Sequence, residues 1–317
     1  MTSEGRVLPG PVLCVVGPTA SGKSEVAELV AERLGSEVIS VDAMQVYRGM
    51  DIGTAKTPPS ERRVPLRLVD VADMREDFSA ARFQCEARAV IDDLLRSHRV
   101  PVLCGGTGLY LDAVIDDMAF PSGTLASPSR TRYEELGREK GPEALWRMLN
   151  ARDPESAALI HPNNAKRVAR ALELADEGRS YAVQHEGLKR RAPWYDARIW
   201  ALTWDRDELY ARIERRVDTM FAAGLVDEVR SLRARGLDES PTASAAIGYK
   251  EVSAALRGEI SLDEAREQVK RNTRRYAKRQ LSWIRRDGRA HVLTMGPDGL
   301  SPAQAARRII DDSGVTG

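Results

Sequence analysis

The segment Val12–Leu34 reads VLCVVGPTASGKSEVAELVAERL and decides the class of fold. Its apolar run Val12–Val16 predicts a buried strand, and the pattern of Lys23–Leu34 predicts a helix. The turn between them, Gly17–Ser24, has the full spacing G-x-x-x-x-G-K-S/T. A strand, a glycine-rich turn and a helix in this order predict a phosphate-binding loop in an α/β protein.

The chemistry of phosphate binding explains the residue types in this turn. Phosphate oxygens need several convergent donors, and glycines let consecutive backbone N–H groups point inward at the positive end of the following helix. Lys23 adds a mobile positive charge, and the Ser24 hydroxyl is a candidate ligand of Mg²⁺. The predicted diphosphate-binding residues are Gly17, Pro18, Thr19, Ala20, Ser21, Gly22, Lys23 and Ser24. The pattern indicates a phosphate or diphosphate without identifying ATP, and its alternative is a chance glycine turn.

Further strands and helices alternate along the chain. Apolar runs at Glu37–Val41, Arg99–Cys104 and Ala197–Trp204 predict strands, and Ser79–Arg96 has helical periodicity. Strands that alternate with helices predict a parallel sheet. A later segment, Ala290–Leu293, predicts a short strand. Further helices are predicted at Arg206–Ala222, Val226–Arg235, Ser261–Arg286 and Pro302–Asp312.

A strandless region interrupts this alternation. From Arg130 to Glu177 the pattern is helical, and the pairs Gly141-Pro142, Asp153-Pro154 and His161-Pro162 predict helix starts. The polar segment Gly178–Pro193 predicts a loop. We therefore predict an α/β core resembling P-loop NTPases at 1–120 and 196–317, with an all-helical insertion domain at 121–195.

Composition limits the protein class. A chain of 317 residues corresponds to about two domains of roughly 150 residues. Its three cysteines, Cys14, Cys85 and Cys104, are odd in number and scattered, which predicts reduced, buried thiols and neither a disulfide framework nor a zinc site. No apolar stretch approaches the length of a membrane helix, and the N-terminus MTSEGRVLPG lacks a secretory pattern. We expect a cytoplasmic protein with no membrane partner, and a monomer by default.

Positive charge is concentrated near the C-terminal end although the net charge is only +1. Ten basic residues face only two acids between Arg266 and Arg289: Arg266, Lys270, Arg271, Arg274, Arg275, Lys278, Arg279, Arg285, Arg286 and Arg289. Such a stripe suits a polyanion, and it equally suits a solvated helix face.

The lack of an acidic residue after the strand Arg99–Cys104 argues against an ordinary nucleoside triphosphatase. Those enzymes usually carry a metal-binding acid at the end of a later strand. Here the strand Arg99–Cys104 is followed by GGTGLY at Gly105–Tyr110, which offers the Thr107 hydroxyl and no carboxylate. An acid follows the second strand instead, at Asp42.

Five segments together resemble bacterial tRNA dimethylallyltransferases over nearly the whole chain. They are GPTASGKS at Gly17–Ser24, SVDAMQVYRGMDIGTAK at Ser40–Lys56, GGTGLYLDA at Gly105–Ala113, IGYKE at Ile247–Glu251 and TRRYAKRQLSWIRRD at Thr273–Asp287. The resemblance implies a core related to P-loop kinases, dimethylallyl diphosphate as donor with Mg²⁺, and N6 of adenosine 37 in the anticodon stem-loop of tRNA as acceptor.

The resemblance also implies roles for individual residues. Asp42 corresponds to the catalytic aspartate, which would act as a base because an exocyclic adenine amine is a poor nucleophile. Lys23 and the phosphate loop would stabilise the departing diphosphate, and Thr107 would act near the flipped base. The implied tRNA contacts are Asp42, Ala43, Met44, Gln45, Thr107, Arg130, Lys166, Arg167, Arg170, Arg274, Lys278 and Arg279. The structural alternatives are a turn acid at Asp42, a buried threonine at Thr107 and solvated basic helix faces.

Two departures and three rival functions remain open. The chain reads PLRLVD at Pro65–Asp70, where relatives often have histidines, and ASAA at Ala243–Ala246, where they commonly carry a longer polar side chain. A P-loop small-molecule kinase would explain the loop but not Ser40–Lys56. An adenylate prenyltransferase would not need the basic stripe. A non-catalytic RNA-binding protein would not need Lys23 and Asp42.

Overall fold

The fold is built on a six-stranded parallel sheet. The computed structural model describes residues 9–120, 127–189, 192–240 and 242–315. The strands are β1 (Val12–Val16), β2 (Val38–Val41), β3 (Leu66–Arg67), β4 (Val102–Gly105), β5 (Ala197–Thr203) and β6 (Ala290–Thr294). Their order is β3-β2-β4-β1-β5-β6, and all pairs are parallel. The predicted α/β class with a parallel sheet is confirmed.

The central strand is buried on both faces. In β1, Val12, Cys14 and Val16 point into one apolar core, and Leu13 and Val15 point into a second core on the other side. Helices cover both faces, as parallel sheets require, and the strand therefore reads as an unbroken apolar run.

The register brings three loops to the same edge of the sheet. Val16 at the end of β1 lies opposite Gly105 of β4, which in turn pairs with Val41 of β2. The carboxyl ends of parallel strands meet at one edge, where open α/β sheets bind their ligands. The phosphate loop, Asp42 and the turn after β4 therefore start side by side.

Thirteen α-helices are present in the described ranges. They are α1 (Lys23–Arg33), α2 (Ala80–Arg96), α3 (Gly108–Ile115), α4 (Pro128–Lys140), α5 (Pro142–Arg152), α6 (Pro154–Leu159), α7 (Ala165–Asp176), α8 (Tyr181–Lys189), α9 (Arg206–Ala222), α10 (Leu225–Ala234), α11 (Tyr249–Leu256), α12 (Leu262–Arg286) and α13 (Pro302–Ser313). None of them combines the length and the apolar character needed to span a lipid bilayer.

The chain divides into two compact units. The sheet unit comprises the chain up to Asp116 and from Pro193 onward, and the helical unit is Asp117–Ala192. The helical unit has its own core, which includes Leu145, Leu149 and Leu172, and its described residues contain helices but no strand. The predicted boundary at residue 121 lies outside the described residues.

Some local predictions were wrong. The segment predicted as a loop contains α8 over Tyr181–Lys189, which a polar composition does not reveal. Its first turn is held by a hydrogen bond from Ala182 N–H to Ser156 Oγ, distant in the sequence, and the rings of Tyr181 and His185 stack one turn apart. Pro142 and Pro154 do begin helices, but Pro162 does not, since Asn164 caps α7.

Two elements were missed, and one cysteine is more open than predicted. The two-residue strand β3 and the helix α11 carry too few residues for a periodic pattern. Cys14 and Cys104 are buried as predicted, whereas Cys85 is exposed because it lies on the outer face of α2.

Candidate active site

A cavity of about 420 Å³ opens at the carboxyl edge of the sheet. Predicted site residues from four separate segments line it: Thr19, Lys23, Ser24, Asp42, Ala43, Met44, Gln45, Thr107 and Arg279. The structure therefore brings the phosphate loop, the Asp42 segment and the turn after β4 to one space. Every residue that lines the cavity belongs to the sheet unit.

The phosphate loop has the backbone conformation that an anion cradle needs. Gly22 takes a left-handed φ of 85° immediately before α1, and Ala20 takes a φ of 64°. A left-handed alanine is sparsely populated, and such local strain is concentrated at functional sites. The first turn of α1 leaves the N–H groups of Lys23 and Ser24 without partners inside the helix, so they are available to an anion.

The interior of the loop is filled by its own residues. Ser21 is fully buried, and its Oγ has no hydrogen-bond partner in the described structure. A Cβ on Gly17 would lie 2.6 Å from this oxygen. Gly17 and Ser21 therefore shape the loop from inside, whereas Thr19, Lys23 and Ser24 face the cavity.

Asp42 is held by one oxygen and open at the other. Its Oδ1 accepts hydrogen bonds from the N–H groups of Met44 at 2.8 Å and Gln45 at 3.3 Å. In the described part of the chain, Oδ2 has no hydrogen-bond partner and the carboxylate forms no salt bridge. Asp42 is thus a turn acid through Oδ1, while Oδ2 remains available at the cavity wall.

The residues beside Asp42 are positioned by neighbouring turns. Ala43 N–H donates to Thr107 Oγ1 at 3.2 Å, which joins the Asp42 segment to the turn after β4. Gln45 Oε1 accepts from Ser40 Oγ, and its Nε2 donates to Thr54 O. Each end of this amide retains capacity for one further hydrogen bond. The side chain predicted to contact adenine is thereby fixed in orientation.

A buried lysine and a half-buried glutamate shape the long segment after Asp42, and sequence reasoning missed both roles. The Lys56 ammonium, with a side chain 3% exposed, donates to Tyr47 O, Asp51 Oδ1 and Asp70 Oδ1 at 2.6–2.8 Å. The Glu228 carboxylate of α10 accepts N–H groups from residues 51–53 and the hydroxyl of Tyr249. The only sequence signal was the unusual length of the DAMQVYRGMDIGTAK motif.

The cavity also contains a cation that sequence reasoning missed. Arg216 of α9 lines it together with Lys23, and the attraction of Asp42 acts on both. Burial lowers the pKa of Lys23 and the pKa of Arg216, because charged groups are penalised where water is excluded. Arg216 interrupts an apolar helix face formed by Ile213, Val217 and Met220, and that interruption was a usable sequence signal.

The oxygen groups at the cavity fit a hard divalent cation. Mg²⁺ usually binds one or two protein oxygens and completes its shell with water and substrate phosphates. Ser24 offers an exposed hydroxyl at the start of α1, and Asp42 offers a carboxylate oxygen at the same cavity. Among the described residues, no group of three or more His, Cys, Asp or Glu side chains could hold a metal. An ion here would therefore depend on the phosphates of a ligand.

The long helix α12 presents different residues to the cavity and to solvent. Thr273, Tyr276 and Gln280, spaced by three and four residues, line the cavity. Burial raises the pKa of Tyr276 to about 12, and its hydroxyl lies near Thr107 and Gln280. The exposed Arg279 also lines the cavity. The other exposed basic residues of the helix share another face: Arg271, Arg275, Lys278, Arg285 and Arg286.

The basic stripe predicted from sequence is not uniform. Arg274 pairs with Glu214 at 2.6 Å, and Lys270 pairs with Asp218 at 2.8 Å. Arg275 and Lys278 form no salt bridge within the described ranges, and both are exposed. The stripe is therefore partly neutralised and partly available to a polyanion.

The predicted contacts in the helical unit also differ among themselves. Arg130 and Arg170 both bind the carboxylate of Glu173, which is 2% exposed. Lys166 and Arg167 at the start of α7 are exposed. Arg130 and Arg170 thus have a structural role in the unit's interior, and Lys166 and Arg167 face solvent.

Comparison with family models and sequences gives a consistent result. Residues 45–287 match the family described as IPP transferase, and residues 10–68 match one described as isopentenyl transferase. The chain is 47% identical over 309 residues to a tRNA dimethylallyltransferase of Kineococcus radiotolerans, which covers 95% of this chain and 96% of that relative. It is 49% identical over 292 residues to a protein of the same name from Streptomyces coelicolor, covering 91% and 92%.

Solved structures of similar proteins agree. A tRNA isopentenylpyrophosphate transferase from Bacillus halodurans matches with a TM-score of 0.70 and 41% identity, covering 96% of this chain and 95% of that chain. A eukaryotic dimethylallyltransferase acting on tRNA matches with a TM-score of 0.78 and 26% identity, covering 96% and 79%.

Proposed function

The chain belongs to the tRNA dimethylallyltransferase family of prenyltransferases, and we propose that it transfers a dimethylallyl group from dimethylallyl diphosphate to N6 of adenosine 37 in tRNA. Membership of the family predicted from the five sequence segments is confirmed. The observation that carries the proposed chemistry is the shared cavity, in which an open carboxylate oxygen of Asp42 accompanies the phosphate loop. With tRNA as acceptor, we expect the protein in the cytoplasm and, by default, as a monomer.

The core is proposed to be related to P-loop kinases. Its glycine-rich loop joins β1 to α1 at the carboxyl edge of a parallel sheet, which is the arrangement of P-loop proteins. The residue after the neighbouring strand β4 is Gly106, so no strand-end acid is present there to hold a nucleotide metal. This favours a diphosphate ligand over hydrolysis of a triphosphate.

The phosphate loop would bind the donor's diphosphate and stabilise its departure. As the bond between the allylic carbon and the diphosphate oxygen breaks, negative charge grows on the leaving group. The N–H groups at the start of α1 and the cations Lys23 and Arg216 would stabilise that charge. Mg²⁺ held by Ser24 and the phosphates would add further positive charge when bound.

Asp42 would act as the base. The adenine N6 lone pair forms the new bond to the allylic carbon, and the proton released from N6 passes to Asp42 Oδ2. The two N–H groups bound to Oδ1 hold the carboxylate in place, so the free oxygen does not rotate away. Thr107 and Gln45 lie in the same wall and are the proposed contacts of the flipped base.

The surface of α12 would position the tRNA. Phosphate contacts orient a nucleic acid without reading its sequence. Arg275 and Lys278 are exposed on the helix whose other side reaches the cavity, and Arg279 is exposed at the cavity itself. Arg274 is a weaker candidate because Glu214 already neutralises it. In the helical unit, Lys166 and Arg167 remain proposed tRNA contacts, whereas Arg130 and Arg170 would first have to leave Glu173.

Mass analysis of tRNA nucleosides tests the proposal. The protein is incubated with dimethylallyl diphosphate, Mg²⁺ and unmodified tRNA, and digested nucleosides are compared with a reaction lacking donor. We expect adenosine carrying one additional five-carbon unit at position 37. Equal modification of AMP would indicate an adenylate prenyltransferase, and phosphate transfer from ATP without prenylation would indicate a kinase. Binding of tRNA with no product would indicate a non-catalytic protein.

A further inference from the structure

A buried amide on α12 reaches the phosphate loop. Gln280 is only 5% exposed although it lies on the helix that carries the basic surface. Its Oε1 accepts the N–H of Thr19 at 2.8 Å, and its Nε2 donates to Gly106 O at 3.0 Å. One side chain therefore joins the phosphate loop to the turn after β4.

The backbone partners determine the orientation of this amide. Thr19 offers an N–H donor and Gly106 offers a carbonyl acceptor, so a flipped amide would place donor against donor and oxygen against oxygen. The approach is close enough to require glycine, because a Cβ on Gly106 would lie 2.1 Å from Nε2. The contact is specific in both chemistry and shape.

The same side chain belongs to a wider network around the cavity. The hydroxyl of Tyr276, one turn earlier on α12, lies near Gln280 and Thr107. Thr107 Oγ1 accepts the N–H of Ala43, next to Asp42. Gln280 thus lies between the diphosphate-binding loop and the segment that carries the proposed base.

We propose that Gln280 is a positioning residue for the donor diphosphate. This inference rests on the proposed function and adds that donor binding requires the Gln280 side chain. By taking up the Thr19 N–H, Gln280 holds the outer part of the loop on α12 and the turn after β4. The loop is then already ordered when the diphosphate binds, with the N–H groups of Lys23 and Ser24 directed at it.

Replacement by an apolar side chain of similar length tests this role. In Gln280→Met, we expect the KM for dimethylallyl diphosphate to rise about tenfold, as expected for loss of a buried hydrogen bond, while the Kd for tRNA changes by less than about twofold. Binding of inorganic diphosphate by calorimetry should weaken by a similar factor. The control is Gln268→Met on the same helix, outside the cavity, which should leave both constants unchanged.

A second variant supplies a pH signature. In Gln280→Glu, a protonated carboxyl can still accept from Thr19 and donate to Gly106, whereas the ionised form cannot donate and adds negative charge beside the diphosphate. Burial should raise the pKa of the introduced carboxyl. We expect kcat/KM for the donor, relative to wild type at the same pH, to increase about tenfold between about pH 8 and about pH 6. The same ratio for Gln280→Met should not depend on pH.

The outcomes separate this inference from the proposed function. If wild type prenylates tRNA but Gln280→Met keeps its donor KM and Gln280→Glu shows a flat ratio, the positioning role is wrong. Equal losses of donor and tRNA affinity, together with a lower Tm, would mean that Gln280 serves packing alone. A wild-type protein that makes no product overturns the proposed function, while calorimetry with inorganic diphosphate still decides whether Gln280 positions the loop.

Discussion

Charged side chains are used differently in the two units. In the helical unit, Glu173 is neutralised by Arg130 and Arg170, and Asp176 binds Arg132 and Arg152. In the cavity of the sheet unit, five charged groups line one space, and none of them forms a salt bridge within the described ranges: Lys23, Glu28, Asp42, Arg216 and Arg279. In the helical unit, Glu173, Asp176 and the arginines around them all have an ionic partner within the unit, which indicates a structural role. Incomplete pairing around a cavity indicates a site that an ionic ligand completes.

The largest effect is expected from the open carboxylate. Asp42→Asn keeps the shape of the side chain but removes the base, so kcat should fall about a thousandfold, within the range of general-base catalysis. Single-turnover assays with saturating donor and tRNA measure this, and the tRNA Kd should be nearly unchanged. If this variant turned over as fast as wild type, Asp42 would not be the base, and its lack of an ionic partner would not indicate a catalytic role.

Loss of the ion pairs between Glu173 and the two arginines Arg130 and Arg170 should reduce stability rather than catalysis. Glu173→Gln leaves two guanidinium groups without a buried counter-charge, so the free energy of unfolding should fall by about 3 kcal/mol. Denaturant unfolding followed by circular dichroism measures the loss, and binding of inorganic diphosphate to the folded variant should be unchanged. The exposed Glu135→Gln in the same unit is the matched control. Equal stabilities would show that the network contributes nothing.

The network also predicts a pH dependence. Burial tends to raise the pKa of Glu173, but hydrogen bonds from Ser127, Arg170 and Arg130 outweigh it and hold the pKa below its ordinary value. A lowered folded-state pKa stabilises the fold above the unfolded value of about 4.3 and loses this contribution as the pH falls through the folded value. The stability difference between wild type and Glu173→Gln should therefore be constant near neutral pH and shrink below about pH 4. A difference that grows in acid would contradict this sign.

A smaller catalytic effect is expected from the second cation of the cavity. Arg216→Gln should raise the donor KM roughly ten- to thirtyfold, because loss of a charge-assisted contact to phosphate costs about 1.5–2 kcal/mol. Arg206→Gln, at the exposed start of the same helix, is the matched control. Steady-state kinetics at saturating tRNA measures both variants. An unchanged KM for dimethylallyl diphosphate in Arg216→Gln would mean that Arg216 does not bind the diphosphate.

The exposed face of α12 should give the smallest change. Arg275→Gln and Lys278→Gln together should weaken tRNA binding a few-fold and reduce the slope of log K against log salt by about 1.4–1.8, since each lost phosphate contact removes about 0.7–0.9. Filter binding over a salt series measures the slope. The control Arg307→Gln on α13 should leave the slope unchanged. If the double variant also had an unchanged slope, the exposed face of α12 would not contact the tRNA phosphates.

Local sequence was sufficient for the elements that have strong patterns. Gly17–Ser24 lies between a buried strand and a helix start and contains two glycines, so the strand, turn and helix could be predicted, while its diphosphate ligand stays a prediction. The helix α12 was also predictable, because its twenty-five residues maintain one periodicity. The segment at Tyr181–Lys189 was not, since its helix depends on a capping contact with Ser156, far away in the sequence.

The sequence by itself determined the parallel α/β class, the glycine-rich turn between β1 and α1 and, through its motifs, the family. Only the tertiary structure decided which charged residues remain available to substrates. Arg130 and Arg279 are equivalent as letters, but one is bound to the buried Glu173 and the other is exposed at the cavity. Pairing and burial depend on residues that are distant along the chain, so no local pattern contains them.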